Sequence, residues 1–156
     1  SIVYRYFGDR SGLQTAVGEA VLRDMGAALA DASHRSAQPR QVIRAMVGVY
    51  LQMVSTSPAV YSFVTRGGEV SEAPSPMRTL ADDAAALLTP VLAEVLLTQG
   101  RGREGAQMWA AGVIGFVRGA AEVWLVETAG SEVAPTAIDE LADTLSTWIC
   151  TGTPSP

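Results

Sequence analysis

The chain has 156 residues, a formal charge of −5, a mean hydropathy of +0.21 and one cysteine, Cys150. That length suits one domain able to bury about 68–70% of its unfolded surface, and a single cysteine excludes an internal disulfide. The acidic balance argues against this stretch being, by itself, a nucleic-acid reader, since those are usually basic. All eleven basic residues are arginine, with no lysine or asparagine, which reads as the codon bias of a GC-rich bacterial genome. No signal peptide is recognisable and no uninterrupted apolar run reaches the ~18 residues of a membrane span, so the expectation is a cytoplasmic protein without membrane contact.

Taken in order, almost every segment has helical period. After "SIVYRYFG", Asp9 is placed to cap a helix running to about Ala32, with Leu13, Ala16, Val17, Ala20, Val21, Met25, Ala28 and Leu29 on its apolar side. Pro39 suits the first turn of a second helix ending near Ser55, whose apolar residues go most of the way round and predict burial on several sides. Ser57-Pro58 opens a short third helix, "PAVYSFVTR", closed by Gly67-Gly68. Ser75-Pro76 opens a fourth, in which Pro90 should kink or split the helix. "GRGR" is a break. A long helix then runs from about Glu104 to Ala129, and a last one follows "SEVAP", with Thr136 and Asp139 at capping-box spacing. The expected fold is all-α: a bundle of about six helices with short connections. "TGTPSP" is expected to fray.

The opening "Y-R-Y-F-G-D-R-S-G-L" resembles the end of the DNA-binding domain in TetR-type transcriptional regulators. There the recognition helix passes through a short turn into the helix that links reader to ligand domain. Val3, Tyr4, Tyr6, Phe7 and Leu13 match the pattern, and Arg10 stands where lysine is usual. The resemblance implies that Tyr4, Arg5, Tyr6 and Arg10 contact DNA phosphates, giving affinity and register but not base identity. It implies that Phe7 and Leu13 lock reader to linker. It divides the chain into a helix-turn-helix remnant at 1–8, a ligand-binding and dimerisation domain at 9–150 and a flexible tail at 151–156, the earlier helices of the reader being absent from the sequence.

The fold expectation extends to a dimer in which the last two helices pair with those of a second subunit. Within "WAAGVIGFVRGAAEVWLVE", Gly112, Gly115 and Gly119 form a small-residue line that invites close approach of another helix, since glycine destabilises a helix interior. Leu141, Leu145 and Trp148 give the final helix a seam-like spacing, so these six are the dimer candidates. Tyr50, Met53, Tyr61, Phe63, Met77, Trp109, Phe116 and Arg118 are candidates to line a hydrophobic ligand pocket, although each apolar one would equally serve as core. Trp124 is a further aromatic of this kind, and Arg118 with Glu122 makes an i, i+4 pair that fits either a pocket anchor or a surface bridge.

An enzyme is not expected. The single histidine, His34, lies in a polar loop, no nucleophilic set is available, and a histidine-based metal cluster is excluded by count. No cofactor is implied. The expected function is a ligand-responsive transcriptional regulator, a repressor that binds a palindromic double-stranded DNA operator as a homodimer and is released by a hydrophobic small-molecule effector. The alternative is a helical ligand-binding or dimerisation module with no DNA-binding activity.

Overall fold

The computed structural model describes residues 10–59, Tyr61 and residues 76–151, and five long α-helices are laid out among them. They are α1 (Arg10–Ser33), α2 (Pro39–Thr56), α3 (Pro76–Thr98), α4 (Ala106–Glu127) and α5 (Pro135–Thr151). No strand occurs among the described residues. The expected short helix after Ser57 is represented by Pro58, Ala59 and Tyr61, which are helical; the rest of it, with Phe63, lies outside the described residues.

Helix α2 is the hub and packs against each of the other four helices. Val42, Ile43, Met46, Val47, Leu51 and Val54 are all buried, matching the many-sided burial its sequence predicts. Pro39 occupies its first turn, where a missing N–H costs nothing. The Ser36 hydroxyl accepts from the Gln38 amide at 3.0 Å and donates to the Gln41 side chain at 2.7 Å, holding the entry. On α1 the buried face is Leu22, Met25, Leu29 and Ala32, whereas Val17 is exposed. The helical stripe therefore lies to one side of the face expected from sequence.

Helix α3 runs through Pro90 without splitting, which leaves the kink as the remaining form of the expectation. Pro90 and Ala86, whose carbonyl loses the usual amide donor, are both exposed, so water can serve that carbonyl. The Thr89 hydroxyl donates to the Ala85 carbonyl at 2.8 Å one residue earlier. At the end of α3, Gly100 takes φ 72°. The Arg101 amide bonds to the Leu96 carbonyl at 2.9 Å and the Gly100 amide to Leu97 at 3.0 Å, the paired bonds of a glycine helix stop.

Helix α4 begins two residues later than expected because Gly105, at φ 87°, turns the chain left-handed immediately before it. Its end is tied by Thr128, whose amide and hydroxyl both donate to the Trp124 carbonyl, at 3.0 and 2.8 Å. Helix α5 starts at Pro135, so Thr136 stands inside the first turn and not at the cap, and the capping-box expectation fails. Helix α5 also includes Thr151, the first residue of the expected tail.

Ile138, Ala142, Leu145 and Ile149 of α5 join the common core. Polar links from α2 reinforce that packing. Arg44 bonds Asp143 and reaches Asp139 at 3.4 Å, and Arg40 donates to the Thr147 hydroxyl at 2.7 Å.

Candidate functional site

Four helices, α1 to α4, line a half-open apolar chamber of about 410 Å³, within the ~300–1,000 Å³ of small-molecule sites. Met25 and Leu29 form the α1 wall; Ile43, Met46, Val47 and Tyr50 come from α2; Leu80, Ala84 and Leu88 from α3; Val113, Ile114 and Val117 from α4. The periodicity that buries each helix supplies these side chains, since residues at i, i+3 and i+4 share one face. Three methionines, Met25, Met46 and Met77, make much of the wall adaptable. Arg78 and Arg118 also line it.

A polar chain runs beside the chamber. The Tyr50 and Tyr61 hydroxyls lie 2.9 Å apart, with the rings edge to face at 6.2 Å between centroids. Glu122 faces the Tyr61 hydroxyl and is itself paired with Arg118 at 3.3 Å. Either hydroxyl can be the donor in the Tyr50–Tyr61 bond. Burial pushes the Tyr50 hydroxyl far above the usual phenol range, and its bond to Tyr61 acts in the same direction. Burial raises Tyr61 as well, so both stay protonated donors at neutral pH.

Of the sequence candidates, the chamber collects Tyr50, Met77 and Arg118, and also Gly115, which was expected on the dimer face. Met53 and Tyr61 line a much smaller void next to it, shared with Met77. Trp109 and Phe116 are elsewhere, and their assignment to the pocket is corrected. They line a surface groove of about 270 Å³ with Gly112, Val113, Trp148 and Ile149. Helical geometry explains this: Val113 and Val117 point inward, which turns Gly112 and Phe116 outward. Arg78, Met25 and Met46 were missed. The two methionines were legible as core but not as lining, because separation between helices is not written in one helix's period.

The groove belongs to a larger apolar face. Met108, Phe116, Val123 and Val126 of α4 and Trp148 of α5 are exposed, Met108 at 78% and Phe116 at 41%. The Phe116 and Trp148 rings meet at 6.3 Å between centroids. A Cβ placed on Gly112, Gly115 or Gly119 would meet nothing within 4 Å. No helix among the described residues therefore requires those glycines. Leu145 is only 1% exposed and serves the core of its own subunit, so it is removed from the dimer candidates, while Leu141 is half-buried against that core. Helix α4 is long and apolar enough to span a bilayer, contrary to the expectation that no apolar run reaches that length, and little of it is buried within this chain.

Tyr4, Arg5 and Tyr6 lie outside the described residues, and Arg10 opens α1. No cluster of three or more histidine, cysteine or acidic side chains fit to hold a metal is present among the described residues.

An all-helical domain wrapped round an apolar chamber, with a bare glycine-bearing face, defines the class. Residues 24–153 match the family described as Tetracyclin repressor-like, C-terminal domain, and the chain belongs to that family of transcriptional regulators. It is 28% identical over 158 aligned positions to two uncharacterized HTH-type transcriptional regulators of Mycobacterium tuberculosis, one of strain CDC 1551 / Oshkosh and one of strain ATCC 25618 / H37Rv. The match covers 95% of this chain but 62% of each relative, so the chain spans about three fifths of their length.

Proposed function

We propose that this chain is the effector-sensing and dimerising part of a cytoplasmic repressor that binds a palindromic DNA operator and releases it when a small apolar molecule fills the chamber. The observation that carries the reading is the chamber's use of α1 as a wall through Met25 and Leu29. By its resemblance to the family signature, the segment before α1 is the hinge to the DNA reader. A molecule that displaces those two side chains tilts the helix leading to that hinge.

A dimer through the α4–α5 face would hold two readers about one DNA turn, ~34 Å, apart. Ligand and operator affinities are then coupled reciprocally, typically by about 1–3 kcal/mol. The test is selection of a palindromic DNA from a random pool by the protein carrying its helix-turn-helix, followed by titration with a chamber ligand. Tight ligand binding that leaves DNA affinity unchanged refutes the mechanism, and recovery of no DNA refutes the regulator.

A further inference from the structure

Given that the chamber is the effector site, we infer that its effector is an apolar monocarboxylate, with the hydrocarbon body inside and the carboxylate held by Arg118 and attracted by Arg78.

The two arginines are the only charged residues among the described lining, and they come from different helices, α4 and α3. Both arginines are exposed, and Arg118 is paired with Glu122, so their guanidiniums stand where the apolar cavity meets solvent; an anionic head group is attracted there and a cationic one repelled. Arg78 stands in the first turn of α3, which contains no acidic residue. A cation there is disfavoured by the positive end of the helix, whereas a bound anion gains from both the arginine and the helix end.

The tyrosines do not compete for the role. The Tyr50 and Tyr61 hydroxyls are bonded to each other at 2.9 Å, so the pair is already engaged. Glu122 holds Arg118 through Nε at 3.3 Å. A guanidinium carries five N–H donors in a planar fork, and its outer edge suits a carboxylate. At roughly 30 Å³ per water-sized group, the 410 Å³ cavity admits a body of about a dozen non-hydrogen atoms. That is the size of a medium-chain fatty acid or a two-ring aromatic acid.

Decanoate and decan-1-ol have the same chain and differ in head-group charge. Their dissociation constants are to be measured calorimetrically for the full chain and for Arg118→Gln, Glu122→Gln and Ala84→Phe, each checked for helicity. Decanoate is expected to bind about tenfold or more tightly than the alcohol. Arg118→Gln should bring the two within about twofold by weakening decanoate alone, and Glu122→Gln, which removes a competing carboxylate, should tighten decanoate. If the alcohol binds as well as decanoate, or Arg118→Gln keeps the preference, the inference is overturned. The chamber reading survives that result provided Ala84→Phe abolishes binding of the alcohol. If neither compound binds up to millimolar concentration, both the inference and the chamber reading fall.

Discussion

Replacing Gly112 and Gly119 with alanine asks what the bare face of α4 is for. Both glycines are exposed, and an added Cβ meets nothing within 4 Å inside the subunit. Within an isolated subunit the double substitution is sterically free. It should stabilise α4 by about 1.6–2 kcal/mol, from a helix-propensity difference of about 0.8–1.0 kcal/mol per site. For a domain of this size each kcal/mol moves the melting temperature by about 2–4 °C, so a rise of roughly 3–8 °C is expected of a monomer at high dilution. In a dimer that uses this face, the same two methyl groups stand between helix backbones that approach closely, and association should weaken. The assay is paired: thermal unfolding by circular dichroism across a dilution series, and sedimentation equilibrium for the dimer constant. The expected outcome is a more stable monomer and a weaker dimer. A higher melting temperature at every concentration with an unchanged dimer constant refutes the assignment of this face to a partner subunit.

Three further outcomes follow from the packing. Leu92→Ala, at a side chain with no exposure, should cost about 2–5 kcal/mol and lower the urea midpoint with an unchanged slope. Phe116→Glu, on the exposed groove, should abolish the dimer in sedimentation while leaving helicity intact, because the side chain has little core of its own to lose. The Arg44 guanidinium holds the Asp143 carboxyl below the usual range, chiefly through its hydrogen bond. A depressed carboxyl contributes stability above its unfolded value near 3.9 and loses it as pH falls through the folded value. Asp143→Asn should therefore lower the melting temperature at neutral pH and converge with the unaltered protein in strong acid. Added salt should shrink the difference, as for any exposed pair.

The all-helical architecture was legible because binary periodicity and proline–glycine punctuation agreed along the chain. Pro39 and the break opened by Gly100 each mark a boundary found in the structure, whereas Gly105, placed inside the expected helix, sets its start. What stayed hidden was set by distances between helices. Trp109 and Phe116 carry the composition of a pocket, yet they face away from it, since Val113 and Val117 take the inward positions. Leu145 has seam-like spacing, but the seam it fills is with its own α2 neighbours in the core. Arg78 gave no signal, because an arginine in a first helical turn resembles any solvated charge until the opposing wall is placed. The glycine line was visible, and the structure supplied the missing half: no described residue comes within 4 Å of a Cβ placed on it.

The central position of α2 also shapes how the domain opens. Every other helix leans on it, and α5 is fastened chiefly through it. A fluctuation that frees α2 therefore dismantles the whole core, while α5 can detach with the rest still assembled. Amide protons along the buried stretch from Val42 to Val54 should exchange only through global unfolding, and those of α5 through a cheaper partial opening. Because α2 also lines the chamber, an occupant would slow exchange in the most protected helix and in the α1 wall together. Hydrogen exchange thereby becomes a readout of occupancy that needs no DNA.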